Sequence, residues 1–129
     1  MALLALTLAF VGGAIGSVCR FWLSGMVAEQ FGETFPYGTL TVNAVGSCVI
    51  GIAAGWLAHH DNPLWALAAK VLVSVGFCGG LTTFSSFGLQ TWNLILSERW
   101  VSALLNVVVS TGLCLGAVAL GWALAQTVF

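Results

Sequence analysis

The run Gly76-Phe77-Cys78-Gly79-Gly80-Leu81-Thr82-Thr83-Phe84-Ser85-Ser86-Phe87 sets helix-breaking and hydroxyl residues in the middle of a stretch otherwise apolar enough to cross a membrane. Backbone groups released at that depth are costly unless they meet other protein, an ion or water. A chain built this way needs a polar interior. The stretch, Leu64 to Leu96, is 33 residues long. As one straight helix it would reach about 50 Å at 1.5 Å per residue, well beyond a hydrocarbon core about 30 Å thick. Its midpoint falls at Gly80, in a Gly-Gly-Leu-Thr-Thr sequence of poor helix propensity, so a break near residues 79–83 is predicted. The alternative is a continuous helix using Gly76 and Gly80 as a close-packing face, which leaves the clustered Thr82, Thr83, Ser85 and Ser86 unexplained.

The rest of the chain fits the same setting. Of its 129 residues 60% are hydrophobic and only 5% charged, and the mean hydropathy is +1.06, which excludes an ordinary soluble domain. The reading is an all-α integral membrane protein of one domain, with four spans at about 3–27, 38–58, 64–96 and 100–128. The breaks between them hold most of the charge and both prolines: Glu29, Glu33 and Pro36, then Asp61 and Pro63, then Glu98 and Arg99. The first span lacks the basic start and the cleavage site of a signal peptide and reads as a mature helix.

Only three basic side chains are available to orient the protein. Arg20 and Arg99 fall toward one side of the membrane, and Lys70 with the amino terminus toward the other. Such a near-tie predicts insertion in both directions, and hence an antiparallel dual-topology homodimer whose two-fold axis lies in the membrane plane. Gly12 with Gly16, Gly51 with Gly55, Gly76 with Gly80 and Gly112 with Gly116 repeat at four-residue spacing and allow close approach of helices, within one subunit or between two.

Polar groups converge on mid-depth. Phe84 and Phe87, three apart, share a helix face beside the hydroxyls of Ser85 and Ser86. An aromatic ring has a positive edge, so two rings turned edge-on can solvate a small anion without a charged trap, although rings of this kind also pack against lipid or a neighbouring helix. The second span offers Thr39, Thr41 and Asn43. A buried Asn has two N–H donors, which serve either a ligand or an interhelical hydrogen bond. Intramembrane hydroxyls also back-bond to their own helices. Together they form a lane of donors with no carboxylate, better suited to an anion than to a proton-coupled or cationic substrate.

Pro36-Tyr37-Gly38-Thr39-Leu40-Thr41-Val42-Asn43 with Gly46, the run from Gly76 to Phe87, and the Gly12-Gly13, Gly16 and Arg20 pattern of the first span resemble the signature segments of the CrcB/Fluc fluoride-channel family. The resemblance extends from the first span to the fourth. It implies an antiparallel dimer with two fluoride pores, in which Phe84 and Phe87 supply ring edges and Asn43 a hydrogen-bond donor. The polar track falls on Thr39, Ser85 and Ser86, with Ser-Ser here where the family usually has Ser-Thr. In the fourth span Ser110 aligns with a pore-lining serine, whereas Asn106 stands where some members carry a tyrosine. The resemblance also implies a structural sodium ion on the dimer axis, held by the backbone carbonyls of Gly79 and Thr82. Arg20 becomes a vestibule residue that draws anions, though its length, like that of Lys70, also suits snorkelling to the interface.

The remaining polar and sulfur residues are plainer. Cys19, Cys48, Cys78 and Cys114 lack the paired spacing of a metal or redox site and read as small apolar residues. His59-His60-Asp61 reads as a solvated turn. There is no nucleic-acid or nucleotide fingerprint and no nucleophile paired with a base, so an enzyme is not expected. The expected activity is passive exit of fluoride from a prokaryotic cell through its plasma membrane. The alternatives are a proton-coupled exporter of the small multidrug-resistance kind, which would need a carboxylate inside the spans, and a non-conducting scaffold subunit.

Overall fold

The computed structural model describes residues 1–59 and 62–129, so the expected turn at His60 and Asp61 lies outside the described residues. Four helical spans are present, each long and apolar enough to cross a membrane. The first, α1 (Ala2–Phe31), runs past its expected end, so Glu29 sits exposed on its last turn. It stops at Gly32, whose φ of 76° is open to a residue without Cβ. The second, α2 (Tyr37–Leu57), matches expectation closely.

The third span, Pro63–Leu96, is 34 residues long and consists of two helices. The first, α3 (63–81), starts where the Asn62 side chain accepts hydrogen bonds from Leu64 N at 3.0 Å and Trp65 N at 3.4 Å, with Pro63 in the first helical position. Between Ala69 and Cys78 it is wound as a π-helix, a feature the sequence pattern did not predict. After Thr82 and Thr83, α4 (Phe84–Leu96) begins. The last span is α5 (Trp100–Val128), reached through a tight reversal in which Glu98 has a φ of 59°.

The break falls at the end of the expected window. Gly79, Gly80 and Leu81 are still helical, and the chain becomes extended only at Thr82 (ψ 161°) and Thr83 (φ −153°, ψ 114°). Neither glycine breaks the helix, and Gly80 seats it. A Cβ on Gly80 would strike the carbonyl of Gly13, and one on Gly16 would strike the carbonyl of Phe77. Thus α3 and α1 meet backbone to backbone, and the close-packing face weighed as an alternative to the break exists alongside it. A second seam joins α2 to α5, where Gly51 meets the Val118 carbonyl and Gly121, unanticipated from the sequence, meets that of Cys48. Of the four glycine pairs, Gly112 with Gly116 meets nothing within 4 Å.

The bundle thus has two tightly joined helix pairs, α1 with α3 and α2 with α5, linked through α1 against α2 and α2 against α3. Val42 and Leu81 are fully buried between them. The short α4 is the outlier: it rests mainly on α5, and Leu94 is its one buried residue.

Candidate functional site

The site is assembled around the break. In an unbroken helix the Thr83 N–H would bond the Gly79 carbonyl. Instead it donates to Asn43 Oδ1 at 2.7 Å, while Asn43 Nδ2 donates to the Thr83 carbonyl at 3.1 Å. One side-chain amide from α2 thereby takes both backbone groups of the extended residue, as a neighbouring strand would. Arg20 Nη1 reaches from α1 to donate to the Thr82 carbonyl at 3.3 Å. Three of the backbone groups freed at the break are thus met by two side chains on two other spans.

Thr83 is the hub. Its hydroxyl caps α4 by accepting from Ser86 N at 3.1 Å. The same oxygen lies 3.0 Å from Ser86 Oγ and 3.3 Å from Ser85 Oγ, which gathers three hydroxyls at the start of α4. The sequence reading named Thr83 in the hydroxyl cluster but did not select it as a site residue. Its signal was its place as the N-cap in Thr-x-x-Ser immediately before a new helix.

Two concavities meet at this hub. One, of about 900 Å³, is a vestibule lined by Arg20, Thr39, Thr83, Ser85, Ser86 and Arg99 among others. The other is a groove of about 370 Å³ lined by Asn43, Ser47, Gly79, Thr82, Thr83 and Phe84 among others. Thr83 is common to both, with Thr39 and the two serines on one side and Asn43 and Phe84 on the other. Arg99 also ties the loops over the vestibule, donating to the Thr34 carbonyl and, at 3.3 Å, to Ser102 Oγ.

Of the aromatic pair, Phe84 lines the groove and Phe87 lines neither concavity. The Phe84 and Phe87 ring centroids are 5.4 Å apart with planes tilted by 37°, so the rings are not stacked face to face. Phe84 is 84% exposed in the single chain and Phe87 half-buried. Ser110 is not brought to either concavity. It is buried and donates to Asn106 Oδ1 at 3.2 Å, and Asn106 Nδ2 donates to Thr91 Oγ1 at 2.9 Å. Thr41 back-bonds to the Tyr37 carbonyl at 2.8 Å. A vestibule residue missed in the sequence is Gln90, whose side-chain oxygen is buried and without a partner among the described residues. Its spacing of four from Ser86 was the available signal.

The break also releases oxygen. With the Thr83 N–H diverted to Asn43, the Gly79 carbonyl loses its usual partner, and Gly79 lies exposed with nothing near its α-carbon on the open side. The Thr82 carbonyl keeps a lone pair besides the one facing Arg20. Backbone oxygens of this kind fit the ligand preference of a hard cation. No group of three or more His, Cys, Asp or Glu side chains suited to a metal exists among the described residues.

Fold and site together define a small four-span membrane protein with two concavities that share Thr83 at a mid-span break. The profile of the CrcB-like protein, Camphor Resistance (CrcB) family matches residues 7–122. The chain is 53% identical over 111 residues to the fluoride-specific ion channel FluC of Opitutus terrae, covering 86% of this chain and 84% of that one. It is 47% identical over 122 residues to FluC 4 of Brucella abortus, covering 95% and 92%. With FluC of Methylocella silvestris it shares 41% over 118 residues, covering 92% and 90%. The chain belongs to the CrcB family, a multi-pass membrane protein of the bacterial kind.

Proposed function

We propose that this protein is a fluoride-selective channel that lets the ion leave the cell down its gradient and so limits its toxicity inside. Fluoride enters as uncharged HF in acid surroundings and dissociates at the higher internal pH, so passive exit suffices. The observation that carries the reading is the hub at the break, where hydroxyls and an amide join two concavities and an aromatic pair lies alongside. The relatives that share most of this sequence carry the name fluoride-specific ion channel, which supports a channel rather than an enzyme.

In this reading fluoride gives up its hydration shell gradually. Thr39, Ser85 and Ser86 offer hydroxyls in the vestibule, where Arg20 and Arg99 raise the local anion concentration. Beyond the hub, the second N–H of Asn43 and the positive edges of Phe84 and Phe87 take over. Among the described residues no charged side chain lines the groove beyond the hub, which favours release. Ser110 contributes through Asn106, from inside the protomer.

Two copies in antiparallel orientation complete the assembly. The exposed Phe84, the open groove and the unfilled Gly112 and Gly116 are surfaces a second copy would cover. The carbonyls of Gly79 and Thr82 from each copy would hold a structural sodium ion at the two-fold axis. When bound, that cation offsets the partial charges of carbonyls brought together there. A proton-coupled exporter is not favoured: among the described residues Glu29, Glu33 and Glu98 all lie at span ends or in loops.

The test is anion efflux from liposomes holding the purified protein, read with fluoride and chloride electrodes and with valinomycin and potassium to prevent charge build-up. Fluoride efflux without chloride efflux is expected, and Phe84→Ile or Phe87→Ile should abolish it in a protein that remains folded. Absence of fluoride efflux from folded, reconstituted protein would overturn the proposal.

A further inference from the structure

The helix that carries the aromatic pair and the hydroxyl cluster is the most weakly seated element of the fold. Leu94 is its single buried residue. Beside Leu94, the structure supplies a polar bracket. Asn106 on α5 is only 1% exposed, and its amide is engaged at both ends. Ser110 Oγ donates to Asn106 Oδ1 at 3.2 Å, and Asn106 Nδ2 donates to Thr91 Oγ1 at 2.9 Å. The Thr91 hydroxyl in turn donates to the Phe87 carbonyl at 2.7 Å. A continuous relay therefore runs from α5 to the backbone of the aromatic residue.

Spacing explains what this relay controls. Phe87, Thr91 and Leu94 stand at i, i+4 and i+7 and share one face of α4, while Ser86, Gln90 and Asn93 share the adjacent face, which with Leu94 lines the vestibule. Successive residues are 100° apart around a helix, so a modest rotation of α4 would carry ring edges and hydroxyls away together. One buried leucine resists such a rotation poorly, because apolar contact is non-directional. A buried amide with both ends engaged resists it well, since each bond has a preferred angle and its loss leaves a polar group unpaired.

We propose that Asn106 is a positioning residue: acting through Thr91, it fixes the rotation of α4 and thereby the direction in which Phe87 and Phe84 present their edges. The inference rests on the channel reading above, but Asn106 itself needs no contact with the ion. It gives a use to the amide and to Ser110, both held inside the protomer.

The test compares Asn106→Ala, Thr91→Val and Thr91→Ser in the full-length protein reconstituted in liposomes, with fluoride efflux, the fluoride-to-chloride ratio and amide hydrogen exchange as readouts. Asn106→Ala and Thr91→Val are each expected to lower fluoride efflux about tenfold, the scale of one buried hydrogen bond lost by truncation, and to lower the ratio. The double variant should be no worse than either single one, because both cut the same relay. Thr91→Ser, which keeps the hydroxyl, should stay within about twofold of the unmodified protein. If Asn106→Ala fails to fold, the two Thr91 variants decide. Unchanged efflux and ratio in Asn106→Ala or Thr91→Val, or a Thr91→Ser as impaired as Thr91→Val, would overturn the inference. An unmodified protein that passes no fluoride would instead overturn the channel reading. The bracket is then judged by exchange alone: faster exchange confined to 84–96 in Thr91→Val upholds it, and unchanged exchange overturns it.

Discussion

The two halves of the third span are held by opposite means. Along 72–81 the backbone lies directly on that of α1, with glycines at the contacts. Along 84–96 the helix buries one leucine and is otherwise tied by side-chain hydrogen bonds, from Asn106 to Thr91 and, at the residue that caps it, from Asn43 to Thr83. A steric seam has one solution, because close-packed backbones cannot slide without collision. Hydrogen bonds through side chains fix direction but give way to small displacements. The chain therefore places its candidate functional groups on the adjustable half and anchors that half to a rigid one.

Breaking the rigid half should produce the largest effect. A valine at Gly16 would drive its Cβ onto the Phe77 carbonyl and within 2.9 Å of Leu81 N, neither of which is the end of a flexible side chain. Gly16→Val is expected to cost more than about 3 kcal/mol, at the high end for a single overpacking substitution, and to abolish recovery of monodisperse protein. Ile15→Val, on the exposed neighbouring position, is the control and should be recovered normally. If Gly16→Val purifies like the control, the seam is not what seats α3.

Asn43→Ala attacks the joint between the halves. It strips two hydrogen bonds from Thr83 and leaves a backbone donor and acceptor at mid-depth, which should cost about 2–3 kcal/mol. A lowered denaturation midpoint and lost fluoride efflux are expected together. Asn43→Asp should fare no better, because a carboxylate oxygen would face the Thr83 carbonyl where a donor is needed. A normal midpoint with lost efflux would instead mean that Asn43 serves the ion and not the break.

Thr83→Val acts on α4 alone. Losing the cap should cost about 1 kcal/mol, and Thr83→Ser should recover most of it. Hydrogen exchange should rise in the first turn of α4 and stay unchanged across 63–81. A rise spread over both halves would show that the break does not separate them mechanically.

Much of this contrast was legible in the sequence, and the rest was hidden for identifiable reasons. Span number and boundaries follow from hydropathy, and the break from the excess length of the third stretch. It falls at the far end of the expected window, two to three residues past Gly80, because glycine propensity, measured in isolated helices, says nothing of a neighbour that rewards a bare backbone. The partner that opens the chain at Thr83 is Asn43, forty residues away, a tertiary contact no local pattern encodes. Asn43 was selected as a donor, and half of its donor capacity is spent on the fold. Asn106 and Gln90 escaped selection because a lone amide in a span looks the same whether it is bracketed, as Asn106 is, or has an oxygen without a partner among the described residues, as Gln90 does.

The smallest effect should come from the glycine pair that the fold leaves open. Gly112 and Gly116 repeat the four-residue spacing seen in both seams, yet among the described residues nothing lies within 4 Å of a Cβ built at either. Within a single chain, Gly116→Ala should therefore bring only the gain in helix propensity, up to about 1 kcal/mol of added stability. A second copy seated on this face reverses the sign for association, because the added methyl would hold the two backbones apart. The expected result is unchanged or slightly raised stability of the separated chain together with weaker self-association, measured by energy transfer between labelled copies diluted in bilayers. Equal association would assign the open pair to lipid, and would leave the groove beside Phe84 as the one surface supporting a dimer.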